Sequence, residues 1–138
     1  MIIVQVGAFP LSIDCIRGGV ESSVYGLAKA LVHNHIVHVF DVPRLCGKDQ
    51  NVIVDGINVH RYKNEGKHNV DARNRVSQVV KEIVSIQPNV VHIHGTNQYS
   101  YDVYQSLVKV GIKVLVTVHG LANVEKRNAF KKKKTLKT

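Results

Sequence analysis

Apolar positions follow two alternating rhythms along this chain of 138 residues. Ile2 to Val6 is an apolar-rich run interrupted only by Gln5 and followed by Gly7, which predicts a strand buried on both faces of a parallel sheet. Val20, Val24, Leu27, Ala28 and Leu31 then recur at helical spacing, so one apolar stripe faces that sheet. Asn34 tolerates the left-handed conformation that ends helices, and Ile36 to Val42 reads as a second strand. Between Val52 and His60, Asp55-Gly56 can supply both positive φ values of a type I′ turn, which predicts an edge hairpin. Ala72, Val76, Val79, Val80, Ile83 and Val84 form a second helical stripe, ended by Pro88, and Val90 to His94 forms another strand. Tyr101, Tyr104, Leu107 and Val108 predict a shorter helix closed by Gly111, before a last buried strand from Lys113 to Val118.

Strands alternating with helices require right-handed crossovers, hence a mainly parallel sheet covered on both faces. The expectation is an α/β, doubly wound, Rossmann-like domain with an edge hairpin. Its length suits one domain with a real core, which we place at residues 1–124. A basic tail, 125–138, reads as the start of an interrupted segment.

Charge sharpens this division. The net charge is +9, but Lys126, Arg127, Lys131, Lys132, Lys133, Lys134 and Lys137 bring seven positive side chains to one end. The remainder is almost neutral and lacks interleaved basic and aromatic residues, which argues against nucleic acid as a partner. An anionic membrane surface is a candidate partner for the lysine run. No apolar run reaches the roughly 18 residues of a membrane span, and the start lacks a signal-peptide pattern, so the expected location is cytoplasmic, with peripheral attachment at the inner face of the membrane through the tail. Cys15 and Cys46 fit neither a zinc knuckle nor a redox dithiol and read as free thiols.

In doubly wound sheets, ligands bind beyond the carboxyl ends of the strands, where strand order reverses. Three unusual segments fall at such ends: Gly18-Gly19, His92-Ile93-His94-Gly95 and Thr117-Val118-His119-Gly120. The glycine pair lacks both the G-x-G-x-x-G spacing and a Walker lysine; it reads as a diphosphate cradle at a helix start or as a plain flexible loop. Asp14 and Glu21 beside it read as a solvated loop position and a first-turn helix charge. His92 and His94 share one strand face. With His119 they raise a metal-dependent hydrolase as one alternative, although no spaced carboxylate completes a catalytic zinc site. The other reading of the strand histidines is hydrogen-bonded core. His119, at a strand tip before Gly120, can reach a crevice and exchange a hydrogen bond or proton with a hydroxyl.

Gly18-Gly19-Val20-Glu21, Leu27-Ala28-Lys29-Ala30-Leu31 with His38-Val39, Pro88-Asn89-Val90-Val91-His92-Ile93-His94-Gly95 and Val116-Thr117-Val118-His119-Gly120 together resemble the N-terminal domain of the family-four retaining glycosyltransferases. The resemblance covers most of residues 1–124. It implies one half of a GT-B fold that moves a sugar, in the manner of a hexosyltransferase, from a nucleotide-diphosphate-sugar donor to a saccharide or lipid-linked acceptor, with no required metal or cofactor. Carried over by position, His119 is the catalytic histidine that contacts the transferred sugar. Gly18 and Gly19 lie against the donor diphosphate, and His94, Gly95 and Gly120 line the substrate cleft. The family's C-terminal domain, with its E-x7-E element, is missing and would act in cis or trans, so these residues alone are expected to be inactive. The alternative is a non-catalytic binding module that docks on a separate donor-binding chain.

Overall fold

A computed structural model describes residues 1–41, 49–63 and 73–120. Its elements run β1 (Ile2–Val6), α1 (Gly19–Leu31), β2 (Ile36–Phe40), β3 (Gln50–Val54), β4 (Ile57–Arg61), α2 (Val76–Ile86), β5 (Val90–His94), α3 (Gln98–Lys109) and β6 (Val114–Thr117). They build a six-stranded sheet in the order β3-β4-β2-β1-β5-β6. Every neighbouring pair is parallel except β3 with β4. From β1 the chain winds outward to β2 and the hairpin, then returns to place β5 on the other side of β1. The reversal of strand order therefore falls between β1 and β5.

Alternation along the strands divides the core between the two faces. Val4, Val6, Val91 and Ile93 pack with Val79 and Ile83 of α2 and Val103 and Leu107 of α3. Val37, Val39, Ile57 and Val59 pack with Val24, Tyr25 and Ala28 of α1 on the opposite face. Gln5 and its register partner His92 belong to this second face, as does His94.

Local signals are realised where the backbone itself carries them. Asp55 (φ 50°) and Gly56 (φ 80°) take the two positive values of the hairpin turn, and β3 is an edge strand. At the end of α3, Gly111 (φ 83°) donates to the carbonyl of Val108 and Ile112 to that of Leu107, the paired bonds of a Schellman motif. Gln87, before Pro88, takes the left-handed conformation (φ 55°) that ends α2.

Four expectations are corrected. Asn34 does not end α1: the helix stops at Leu31, and the non-glycine residues with positive φ among the described residues are Asp55 and Gln87. The inward stripe of α3 is Tyr99, Val103 and Leu107; Tyr101 (52% exposed), Tyr104 and Val108 face outward. β6 is not buried, because it ends the sheet and leaves Leu115 (55% exposed) and Val116 uncovered. Val84, assigned to the stripe of α2, is likewise exposed. Val42, Cys46, Ala72 and the basic tail lie outside the described residues.

Candidate functional site

At the carboxyl ends of β1, β5 and β6, side chains from three strands meet. Register sets His92 of β5 beside Gln5 of β1 and beside Leu115 of β6, and sets His94 beside Thr117. His94 Nε2 lies 2.5 Å from Gln5 Oε1, and His94 Nδ1 lies 2.9 Å from His119 Nε2. His92 Nε2 stands 2.6 Å from Thr117 Oγ1. The rings of His92 and His94 are 4.0 Å apart, and those of His94 and His119 are stacked at 5.2 Å.

Burial grades this row. His94 is 7% exposed, whereas His119 at the strand tip is exposed. Burial, reinforced by the neighbouring rings of His92 and His119, holds the pKa of His94 down to about 4, so its ring is neutral at pH 7. Burial also lowers His92, with His119 adding to the effect. His94 is thus a neutral, hydrogen-bonded support, and His119 is the ring free to meet a ligand.

Small residues make this packing possible. A β-carbon on Gly7 would lie 3.1 Å from both His94 Cβ and Val24 Cγ2, so α1 and β5 close on that position. Gly95 has φ 129°, a conformation that L side chains rarely adopt, and its N–H donates to the carbonyl of Thr117. Gly120 follows His119 directly, half-buried. Beside Gly95, on the face covered by α3, a shallow apolar pocket of about 190 Å³ is lined by Ile93, Thr96, Ser100, Tyr101, Tyr104 and Val116.

Gly18 and Gly19 stand apart from the histidines. Gly18 is fully extended (φ 178°, ψ 179°), and a β-carbon on either glycine would meet nothing within 4 Å. Neither crowding nor positive φ accounts for the pair. The adjoining loop is fastened by Glu21, 6% exposed, whose Oε2 accepts from the backbone N–H of Arg17 at 3.0 Å. A carboxylate therefore already sits in the first turn of α1, where the helix end favours negative charge.

The three histidines do not converge as metal ligands. Both ring nitrogens of His94 are engaged, His92 Nε2 is turned to Thr117, and no group of three or more His, Cys, Asp or Glu among the described residues could hold an ion. No helix among the described residues is long and apolar enough to cross a membrane.

Sequence reasoning missed two contributors. Gln5 read as an interruption of an apolar strand, yet a polar residue in a strand buried on both faces is itself a signal that something there must be hydrogen-bonded. The second is the buried Asp41–Arg61 pair. Asp41 Oδ1 accepts from the N–H of Phe9 at 3.1 Å, and Arg61 donates to the carbonyls of Phe9 and Pro10. Together they tie the loop after β1 to the far side of the sheet.

A doubly wound sheet with polar side chains gathered at its switch point defines a Rossmann-like domain. The sequence model for Glycosyltransferase Family 4 matches residues 17–137, and the chain belongs to that family. No curated protein matches. Among solved structures, the C-terminal domain of a hydrogenase from Pyrococcus furiosus superposes with a TM-score of 0.56 at 15% identity, over 85% of this chain and 91% of that one. A structure described as trehalose-6-phosphate from E. coli bound with UDP-2-fluoro glucose gives a TM-score of 0.52 at 10% identity, over 85% of this chain and 33% of that one. At these identities the likeness is one of fold: the chain has the architecture of one Rossmann-like half of a GT-B fold and spans a third of the second structure's length.

Proposed function

We propose that this glycosyltransferase domain is the N-terminal, acceptor-side half of a retaining enzyme that moves a hexose from a nucleotide diphosphate to a saccharide or lipid-linked acceptor. The reading rests chiefly on one observation: His119 is an exposed imidazole braced from behind by His94 at the switch point of a family-four domain. An imidazole so placed can take a hydrogen bond from a sugar hydroxyl or donate one to it. Gly18 and Gly19, which the fold itself does not require to be glycine, leave backbone open to a diphosphate. Gly95 and Gly120 give the sugar room beside His94 and His119. Donor binding in this reading needs a second domain, in the same chain or another, and the lysine run from Lys126 serves an anionic membrane surface on the cytoplasmic side.

The test joins this chain to a family-four donor-binding half and assays a panel of nucleotide-diphosphate sugars with saccharide acceptors. The joined protein should transfer with retention, and residues 1–138 alone should not. His119→Ala should lower kcat by about 10²–10⁴, the scale of removing a positioned group that exchanges a proton with a reacting hydroxyl. Full transfer by His119→Ala, or an inverted product, would overturn the reading. Exposed apolar side chains on β6 and α3 favour a second role as a module that docks on a separate chain. In that case the two halves would associate without being fused.

A further inference from the structure

Gln5 has no counterpart in the strand it occupies. It is a polar side chain, completely buried among Ile2, Ile3, Val4 and Val6, and its amide nitrogen has no hydrogen-bond partner among the described residues. A buried polar group left partly unpaired costs about 1–3 kcal/mol, so its presence calls for a compensating role. Its carbonyl oxygen faces His94 Nε2 at 2.5 Å.

Hydrogen-bond chemistry runs in one direction from that contact. A carbonyl oxygen only accepts, so the proton between Gln5 and His94 resides on His94 Nε2. His94 is neutral, because burial and its flanking imidazoles keep it so, and a neutral imidazole carries a single N–H. Its Nδ1 is therefore a lone pair. The proton in the 2.9 Å contact between His94 Nδ1 and His119 Nε2 must then come from His119. In the neutral form of His119 that N–H is its single one, and its Nδ1 is bare. Turning the His94 ring by half a rotation about its Cβ–Cγ bond does not reverse this order, because it would point ring carbons at Gln5 and His119 and lose both contacts.

We propose that Gln5 is a positioning residue that sets the tautomer of His119 through His94, so that His119 meets its ligand with Nδ1 as a hydrogen-bond acceptor. The identity of that ligand as a sugar hydroxyl rests on the function proposed above; the order of protons does not. An acceptor nitrogen selects a hydroxyl that donates, and it can take up the proton of an acceptor alcohol as the new glycosidic bond forms and the bond from the anomeric carbon to the donor's diphosphate oxygen breaks, the nucleoside diphosphate leaving with that electron pair. Histidines are commonly oriented in this way by the partner of their second nitrogen. Here the control is relayed through an intermediate ring.

The experiment is a long-range ¹H–¹⁵N correlation spectrum of the 138-residue chain labelled with ¹⁵N-histidine, at pH 7 without any ligand. His94 and His119 should both show the pattern of an Nε2–H tautomer. An Nδ1–H pattern at either ring would overturn the proposal, because it would mean that Gln5 presents its nitrogen to His94. In Gln5→Met, which keeps length and apolar bulk but removes the acceptor, the signals of both rings should move toward a mixture of tautomers, while His92, paired with Thr117, stays unchanged. Unchanged His119 signals in that variant would also overturn it. The unmodified chain decides the proton order even if Gln5→Met fails to fold. A failed transfer assay would leave these spectra intact, and a reversed proton order would leave the transfer assay intact, so the two readings fail separately.

Discussion

Arg61 carries the most concentrated polar burden of any single residue described: from a buried position it reaches the Asp41 carboxylate and the carbonyls of Phe9 and Pro10. Removing one member of such a pair leaves the other charge buried and unpaired, which costs more than the pair itself contributes. Arg61→Ala should therefore lose about 3–5 kcal/mol above pH 7, where Asp41 is ionised, read as a fall in the urea midpoint. Arg75 provides the contrast, since it pairs with Asp49 at 3.7 Å where solvent has access. Arg75→Ala should cost no more than about 1 kcal/mol. Neither difference was legible from the sequence, where both residues are arginines outside any motif. Position in the sheet separates them: Arg61 ends an interior strand, and Arg75 lies on the turn that opens α2. Gly18 and Gly19 show the converse limit. Their place before a helix was readable, but what approaches them is not encoded in any residue near them.

Among the elements, α3 shows how two stripes can compete on one helix. Tyr99, Val103 and Leu107 lie four apart, and Tyr101, Tyr104 and Val108 form an alternative run of apolar spacing. Periodicity alone admits both; the sheet decides, because Asn97 caps the helix by accepting from Ser100 N–H and so fixes its rotation over Ile93. Leu107→Ala should cost about 2–5 kcal/mol, and Tyr101→Ala less than about 0.5 kcal/mol. Comparable losses at the two positions, measured by thermal melting, would mean that the helix is rotated from the orientation described. The hairpin was legible to the residue because Asp55-Gly56 writes its own φ values into the backbone. The exposure of β6 was not, because whether a strand is interior or at an edge depends on strand order, which is set by contacts distant in sequence.

Across the whole molecule, histidine titration and folding are coupled. His38, His60, His92 and His94 all have their pKa values lowered, in each case chiefly by burial, and His94 falls to about 4. His60 also feels His38, which lowers it, and Glu82 of α2, which raises it. A histidine whose pKa is lower in the folded state binds fewer protons there than in the unfolded chain. Its contribution to stability is therefore complete above the unfolded value near 6.5 and is lost as pH falls through the lowered value, about 4 for His94. Asp41 works against this trend: burial lifts it to about 7 despite Arg61 and the Phe9 N–H, so its contribution is present at low pH and lost as pH rises through that value. Between pH 4 and pH 6.5 the histidines make unfolding free energy rise with pH while Asp41 makes it fall, and the two large shifts, those of His94 and Asp41, oppose each other directly. Urea melts at half-unit intervals would show the balance. The decisive variant is His94→Asn, whose amide still offers a polar atom toward His119 but cannot titrate. It should make the slope less positive, most of all at the acid end, because His94 alone of the four histidines has a large shift. A slope unchanged in His94→Asn would mean that the ring is not held neutral by the fold, and that the row from Gln5 to His119 is open to water.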